Sequence, residues 1–508
     1  MISPSKHCSL DQISTWLVKD WPSTDLAPFL TTLFNKSIAS FDVPLTLKKA
    51  FITPLLKKQN LNVDELSNYR PVSNLSFILK QLEKVIAVWL VTYLNANNLL
   101  AKKQSAYRRF HSTETLLLRL MSDLVSAVEL GTLALMSLRD MSAAFDTVDH
   151  AIILQKLNCT YIIRGDALNW ITSYLVLLKI DGSTSAETLL SHGVPQGSVF
   201  HAILFILYTC IRAHGLLPYS YADGNQIVFY CKPSEADNLK SAVVNCITNI
   251  TAWLSSHSLK ISRIKTEFIW SATSRRNHLI DHTTICISGT QITPSPNVKL
   301  LGVHIDEELS QSVQISRTVS SGFFHLWQIK AIRRCLSSDA ATSLVNAFVA
   351  LRLDYCNSIY AGLPNSETNH LQTVYNAAAT LIFSASRYSH ITPLLRDRLH
   401  WLWCTKRILY KLCMTVFKAR HGMAPEYLTE LCTPVAVSEK RATLRSASTS
   451  HGLVNIPRRT PNTNFCDCAF RVAGPAAWNS LSTNIRTTLT IESFKRQLKT
   501  HLFTISYS

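Results

Sequence analysis

The sequence lacks an apolar run long enough to cross a bilayer. About 18 consecutive apolar residues are needed for a membrane span, and the two longest candidates, residues 116–138 and 202–210, are broken by charges or too short. The N-terminus also lacks a charged start followed by an apolar stretch and a small-residue cleavage site. We therefore expect no contact with a membrane and no secretion signal.

Cysteine patterns typical of zinc sites are missing as well. The 13 cysteines are scattered, and no Cys-x-x-Cys pair is followed by a second pair or by spaced histidines. Cys466 and Cys468 flank a single residue, which is too close for the usual zinc-finger spacing. Reduced thiols in a cytoplasmic or nuclear protein are the expected state.

Acidic residues are scarce relative to basic ones. There are 33 Asp and Glu against 51 Lys and Arg, so the formal net charge is +18. Such a surplus favours an anionic partner, of which nucleic acid is the usual one; a basic protein without such a partner is the alternative. With 508 residues, 47% of them hydrophobic and 17% charged, the chain is globular and long enough for two or more packed units.

Apolar periodicity predicts a mixture of helices and strands. We predict short amphipathic helices within residues 1–50, a polar segment over 57–71 that ends in a turn-like Asn-Tyr-Arg-Pro, and a helix over 77–94. A buried strand over 132–138, a loop over 193–197, and a helix over 198–210 follow. Two short strands, 219–222 and 226–230, predict a hairpin around Asp-Gly-Asn, and a helix covers 236–254. Residues 310–430 predict a helical bundle, and the tail from 431 is less clearly ordered.

Two aspartates occupy positions where strands end. Asp140 follows the predicted strand 132–138, and Asp223 lies at the tip of the predicted hairpin. If these strands are neighbours in one sheet, both carboxylates meet at one edge, and carboxylate oxygens are ligands that Mg²⁺ prefers. Taken singly, Asp140 could instead cap the following helix, and Asp223-Gly224 could be an ordinary type I′ turn pair.

Seven segments in a fixed order carry a resemblance to a known family. They are Asn68–Asn74, Gln104–Glu114, Asp140–His150, Gly193–Ser198, Tyr221–Gly224, Lys265–Glu267 and Leu300–Val303. Together they resemble the motif series of LINE-type reverse transcriptases of non-LTR retrotransposons, in particular the LINE-two and chicken-repeat groups. Four further segments look like the C-terminal extension of those groups: Arg352–Ser358, His390–Pro393, Leu399–Trp401 and Ala424–Leu428.

The resemblance implies an α/β (α+β) right-hand polymerase fold with fingers, a palm sheet and a helical thumb, plus a helical C-terminal extension. The implied divisions are an N-terminal helical segment (1–50), fingers and palm (51–305), thumb and extension (306–430) and a basic tail (431–508). The implied partners are an RNA template, a DNA primer and deoxynucleoside triphosphates. The implied location is a ribonucleoprotein of the nucleus and cytoplasm.

The resemblance also implies a two-metal site. Asp140 would be the first metal-binding carboxylate, with the Met141 carbonyl as a further oxygen ligand, and Asp223 would bridge two Mg²⁺ ions, with Mn²⁺ as a substitute. Lys265 would approach the leaving pyrophosphate; alone, it would be a solvated lysine at a helix end.

The remaining implied roles concern the nucleotide and the template. Phe145 would pack under the sugar and select deoxynucleotides, or else be a core residue facing the sheet. Pro195, Gln196 and Gly197 would hold the nucleotide and template base, since glycine permits close backbone approach. In the fingers, two cations would contact template or triphosphate, or else be ordinary surface arginines: Arg70 and Arg108.

Several positions depart from the family pattern. The family's hairpin carries Tyr-Ala-Asp-Asp, whereas here glycine, at Gly224, stands in place of the second aspartate. Arg139 stands where an apolar strand residue is expected, on the side normally buried, where an unpaired cation costs several kcal/mol. Ala106 replaces a glycine, and Phe200-His201-Ala202 replaces Leu-Gly-Pro. We therefore expect an impaired polymerase, or else a catalytically inactive basic RNA- or DNA-binding remnant. We also expect no upstream endonuclease, because no acidic and histidine motif of that kind precedes residue 50.

Overall fold

The computed structural model describes residues 23–139, 141–142, 145–175, 178–180, 188–189, 192–195, 197–209, 218–261, 266–280, 282–287, 289–386, 388–435, 452–457 and 465–507. The helices are α1 Ser23–Ala39, α2 Phe77–Ala96, α3 Thr113–Glu129, α4 His150–Cys159, α5 Gly165–Leu175, α6 Phe200–Thr209, α7 Ala236–Ser256, α8 Ser312–Ile332, α9 Ser338–Val345, α10 Leu351–Asp354, α11 Asn365–Ile382, α12 Ile391–Pro393, α13 Cys404–Arg420, α14 Glu426–Thr429, α15 Phe470–Asn479, α16 Thr483–Arg486 and α17 Ile491–Tyr507. The strands are β1 Lys49–Leu56, β2 Tyr69–Leu75, β3 Leu133–Arg139, β4 Met141–Ser142, β5 Leu178–Ile180, β6 Thr188–Leu189, β7 Tyr219–Tyr221, β8 Gly224–Cys231, β9 Lys260–Ile261, β10 Glu267–Ser271, β11 Ile285–Ile287, β12 Thr290–Ile292, β13 Asn297–Leu300 and β14 Val303–Asp306.

The central sheet has the strand order β10-β3-β8-β7, with each neighbouring pair antiparallel. All seven residues of β3 are buried, which explains why five of them are apolar and do not alternate with polar residues. The predicted strand over 132–138 and the predicted hairpin are both confirmed. The sheet places the end of β3 beside the tip of the β7–β8 hairpin.

The two faces of β3 belong to two hydrophobic cores. Because side chains alternate along a strand, Leu133 and Leu135 pack into a core with α2, α5, α6 and α7. Met136 and Leu138 pack into the other core, which runs through α3 and α8 to the C-terminal helices. The palm sheet is therefore covered on both sides, and its functional edge lies where β3 and the hairpin end.

A second sheet has the order β2-β1-β5-β6; β1 and β2 precede α2 in the chain, and β5 and β6 follow α5. Strands β1 and β2 pair antiparallel, with Pro54 opposite Pro71. The turn-like end predicted for the 57–71 segment is therefore wrong, because residues 69–71 already belong to a strand. The helix predicted over 77–94 is confirmed as α2, and its first turn is capped by the Ser76 hydroxyl, which accepts from the Leu79 amide at 3.1 Å.

The C-terminal half is helical, as predicted for residues 310–430. The tail differs from the expectation over 465–507, where α15, α16 and α17 add Trp478, Phe494 and Leu502 to the same core as α13. Within the part of the chain that is described, no helix has both the length and the hydropathy of a membrane span.

Candidate active site

The candidate site lies at the edge where β3 and the β7–β8 hairpin end. Arg139 pairs with Asn225, and Tyr221 pairs with Gly224, so the two-residue tip is Ala222-Asp223. The strands are neighbours in one sheet, as the predicted convergence of two carboxylates requires. Asp140 follows Arg139 directly in the chain but lies outside the described residues. Its distance from Asp223 therefore stays a prediction.

Gly224 is the first residue of β8 and is not a turn residue. The alternative of an Asp223-Gly224 turn pair is therefore wrong; Ala222, with a φ of 55°, takes the left-handed turn position instead. Gly224 does not adopt the left-handed backbone conformation, and a Cβ added there would lie 3.5 Å from the Tyr221 carbonyl and from Gln226 Nε2. These are ordinary contacts, so the backbone accepts an aspartate at this position.

The loop over 193–197 is bound to two other parts of the site. The Val194 amide donates to the Phe145 carbonyl at 2.9 Å. Gly197 has a φ of +114°, and a Cβ there would lie 2.8 Å from the Ser73 carbonyl, so only glycine fits. Ser73 belongs to β2, the strand that also carries Arg70. Pro195 is buried, and Gln196 lies outside the described residues.

An aromatic row connects this loop to the hairpin tip. The Phe145 ring lies 4.3 Å from that of Phe205 and 5.4 Å from that of His201, measured between centroids. His201 in turn lies 6.5 Å from Tyr107. Burial, followed by the negative charge of Asp223, raises the pKa of Tyr107, which indicates that Tyr107 lies near the tip. Phe145 is half-buried, an arrangement compatible with either of its predicted roles.

The two predicted finger cations differ in their surroundings. Arg108 Nη1 donates to the carbonyls of Ala101 and Gln104, at 3.0 and 3.2 Å, and burial lowers its pKa. These bonds hold the segment that precedes Tyr107. Arg70 is exposed on β2, opposite Leu55. Lys265 lies outside the described residues.

Acidic ligands for a metal are sparse in the described part of the site. Met141 is buried and pairs with Ile261. Among the described residues, no group of three or more His, Cys, Asp or Glu side chains is placed to hold a metal ion; Asp140 is not one of these residues. The hairpin itself offers one carboxylate, Asp223, where the family motif has two. Carboxylate oxygen suits Mg²⁺ in chemical type, and Asp223 supplies it at the hairpin tip.

Arg139 is buried, as its position in β3 predicts, with 5% of its surface exposed. Nε, Nη1 and Nη2 are all buried, and none has a hydrogen-bond partner among the described residues. Burial lowers the pKa of Arg139 to about 10. Because an uncompensated buried charge is costly, this side chain destabilises the sheet next to the candidate site.

Two residues near the site were not predicted from the sequence. Glu83 is fully buried in α2 and contacts the segment that follows the 193–197 loop. It follows Leu79 by four residues on the apolar face of a predicted helix, so an acid at that spacing was a usable signal. Tyr107, whose φ of 57° is left-handed, had no comparable signal.

Comparisons with known proteins agree with the motif series. The family described as reverse transcriptase (RNA-dependent DNA polymerase) matches residues 56–305. A probable RNA-directed DNA polymerase from transposon X-element of Drosophila melanogaster is 24% identical over 388 residues, which cover 73% of this chain and 41% of that protein. The RNA-directed DNA polymerase from mobile element jockey of Drosophila funebris is 24% identical over 389 residues, 73% of this chain and 42% of its own length.

The chain thus spans less than half the length of these curated relatives. Among solved structures, telomerase from Candida albicans in complex with a TWJ fragment of telomeric RNA aligns over 78% of this chain and 68% of its own. The identity is 11% and the TM-score is 0.36, a similarity too low to support an argument about function.

Proposed function

From the premise that this chain is by family a reverse transcriptase of the LINE type, we propose that it is an RNA-directed DNA polymerase impaired by glycine at position 224. In the proposed reaction the primer 3′-hydroxyl attacks the α-phosphate of a deoxynucleoside triphosphate, and pyrophosphate leaves. The observation that carries the proposal is the pairing of β3 with β8, which sets the end of one strand beside the acidic hairpin tip.

The chain's own residues would bind and orient the substrates. Phe145 would lie against the sugar, since the neighbouring Val194 amide ties the 193–197 loop to its backbone. Pro195, Gln196 and Gly197 would contact the nucleotide and the template base. Outside that loop, Arg70 and Arg108 would face template or triphosphate, and Lys265 the leaving group.

Asp140 and Asp223, with the Met141 carbonyl, would hold two Mg²⁺ ions, or Mn²⁺ in their place. When bound, such ions stabilise the charge that develops at the reacting phosphate. Position 224 supplies no carboxylate, so less negative charge is available to hold two dications. This deficit supports impairment as part of the proposal.

A second candidate function is nucleic-acid binding without catalysis. Two observations favour it: the absence of a carboxylate at Gly224 and the Arg139 guanidinium, which has no hydrogen-bond partner among the described residues. Both lie at the proposed polymerase centre, and neither removes the formal net charge of +18. Backbone binding needs only a basic groove and falls as salt rises.

Primer extension by the Gly224→Asp variant separates these candidates. The purified chain, Gly224→Asp and Gly224→Asn would each be given poly(rA), oligo(dT) and dTTP with Mg²⁺ or Mn²⁺. We expect Gly224→Asp to extend the primer roughly tenfold faster or more, the effect of about 1.4 kcal/mol in the barrier. Gly224→Asn, which has the same size but no charge, should not gain.

Equal rates for all three chains would contradict impairment at position 224. Salt-dependent RNA binding with no extension by any variant would favour the binding remnant over the polymerase.

A further inference from the structure

Glu83 is a carboxyl group in the interior of the protein. It lies on α2, and none of its surface is exposed. Burial raises its pKa, against the opposing effect of a hydrogen bond from Tyr174. A carboxyl in an apolar core is costly unless its oxygens are hydrogen-bonded, so its partners indicate what it does.

Both oxygens of Glu83 are used, and each reaches a different element. The Tyr174 hydroxyl, from α5, donates to Oε1 at 2.8 Å. The Val199 amide donates to Oε2 at 2.7 Å. The Tyr174 oxygen also lies 2.7 Å from Ser198 Oγ. Since the Tyr174 proton is given to Glu83, Ser198 is the donor in that contact.

Ser198 connects Tyr174 to the start of α6. Its hydroxyl oxygen accepts from the amides of Phe200 at 3.0 Å and His201 at 3.2 Å, which caps the first turn of the helix. The Phe200 and Tyr174 rings pack edge-on at 5.4 Å. Glu83, Tyr174 and Ser198 thus form a closed buried network that we call the loop anchor.

The loop anchor holds one end of the 193–197 loop, and other contacts hold the rest. The Gly193 amide donates to the Val148 carbonyl at 2.7 Å, and the Val194 amide to the Phe145 carbonyl. Gly197 lies against the Ser73 backbone. Without the anchor, the loop would keep its contacts with the Phe145 segment and with β2, but Ser198 and Val199 would no longer be tied to α5 and α2.

We infer that Glu83 is a positioning residue, which fixes the start of α6 and the adjoining end of the 193–197 loop against α2 and α5, in the placement that a bound deoxynucleoside triphosphate requires. The inference rests on the proposed function, because the role of that loop is part of it. Glu83 touches neither substrate nor metal in this scheme; it acts through Val199 and Ser198.

Three substitutions at two positions test the loop anchor. Glu83→Ala removes both acceptors and leaves the Val199 amide unpaired. Glu83→Gln can still accept from Val199 with its oxygen and donate to the Tyr174 oxygen with its amide, while the Tyr174 proton turns to Ser198. Tyr174→Phe keeps the ring packing and the Val199 bond but removes the link to Ser198. Leu79→Ala, also fully buried in α2, is the matched control for general loss of stability.

Amide hydrogen exchange of the intact chain is the first measurement. In Glu83→Ala we expect the amides of residues 198–201 to exchange roughly tenfold faster or more, the effect of one lost buried hydrogen bond. Glu83→Gln should stay close to the parent chain, and Tyr174→Phe should lie between them. Equal acceleration in Leu79→Ala, or none in Glu83→Ala, would overturn the inference.

The affinity for dTTP is the second measurement, on poly(rA) with an oligo(dT) primer that ends in a dideoxynucleotide. Because such a primer cannot be extended, binding is measured whether or not the chain is an active polymerase. We expect the Kd for dTTP to rise several-fold in Glu83→Ala and to recover in Glu83→Gln, with no change in Leu79→Ala. An unchanged Kd in Glu83→Ala would refute the positioning role.

The two measurements also separate this inference from the proposed function. If no variant binds dTTP, the polymerase proposal fails, and the inference about nucleotide positioning fails with it. If the parent chain binds dTTP and Glu83→Ala binds equally well, only the inference fails.

Discussion

Two arginines, one half-buried among the C-terminal helices and one buried in the palm sheet, differ in their partners. Arg407 binds Asp354 through Nε, 2.9 Å from Oδ1, and through Nη2, and it lies over the Tyr375 ring at 4.9 Å. Burial opposes its charge, but the Asp354 hydrogen bonds outweigh this, and its pKa lies above the ordinary value. Arg139 has no hydrogen-bond partner among the described residues, and its pKa falls to about 10.

The comparison distinguishes a region in which charged side chains have hydrogen-bond partners of opposite charge from one in which Arg139 has none among the described residues. Where α3 meets the C-terminal helices, Glu114 accepts from Lys411 at 3.1 Å and from the Ser358 hydroxyl at 2.5 Å. In the palm, Arg139 has no hydrogen-bond partner among the described residues and position 224 is a glycine, while the strand pairing around both is intact. The pairing of the strands can therefore stay intact where a charged side chain lacks a partner.

The largest effect is expected from breaking the matched pair. Arg407→Met leaves Asp354 partly buried without its partner, and we expect the free energy of unfolding to fall by about 3 kcal/mol. Denaturant unfolding followed by circular dichroism would measure it. Arg396→Met is the control, since its pair with Asp397 is exposed and such pairs contribute little. Equal losses in the two variants would mean that Arg407 is no better matched than a surface arginine.

A smaller effect of opposite sign is expected in the palm. Replacing an uncompensated buried cation by an apolar residue is stabilising, so Arg139→Leu should raise the free energy of unfolding by about 2 kcal/mol. The same denaturant measurement applies, with Arg139→Lys as a control that keeps the charge and should give no gain. If Arg139→Leu lowers the stability, the guanidinium has a favourable partner and the contrast with Arg407 disappears.

The smallest expected effect is a pH dependence of the free energy of unfolding, in the region where charged side chains are paired. Burial lowers the pKa of His111 to about 4, and the nearby positive charge of Arg108 acts in the same direction, against a hydrogen bond with the Arg109 carbonyl. The unfolded chain, with a histidine pKa near 6.5, binds the proton first. The contribution of His111 to the free energy of unfolding is therefore constant above about pH 6.5 and falls as the pH drops towards 4.

Unfolding midpoints at pH 7.5 and pH 5 would test this. His111→Gln should flatten part of the slope and leave the rest, because burial lowers the pKa of three other histidines in the same direction: His201, His257 and His304. A slope that is identical in His111→Gln would assign the pH dependence to those residues alone.

Much of the palm was predictable from the sequence. The apolar run of β3 and the hairpin pattern were enough to predict both strands, because a strand buried on two faces needs apolar residues at every position. The exact turn was not predictable. Asp-Gly is a favoured turn pair, yet the structure puts Ala222 in the left-handed position and Gly224 in the strand, which depends on the register with β3.

In two other regions the amino-acid composition did not indicate the strands and the helix that form there. Strands β1 and β2 contain Pro54 and Pro71, residues that usually argue against a strand. The Ser-, Thr- and Arg-rich tail concealed α17, although Phe494, Leu498 and Leu502 repeat every four residues and are fully buried. For the candidate site, the structure brings two predicted features together, Phe145 and the 193–197 loop, while their roles stay predictions. The roles of Asp140, Gln196 and Lys265 stay predictions.

The packing of α17 has a consequence for how the protein is made. Phe494 stacks on Phe417 at 4.3 Å and lies 5.5 Å from Trp478, in the core that also includes Leu116 and Met136 of the palm side. During translation that core cannot close until α17 has left the ribosome. A chain truncated before Phe494 would therefore expose the Phe417 and Trp478 rings, a substrate for chaperones and proteases.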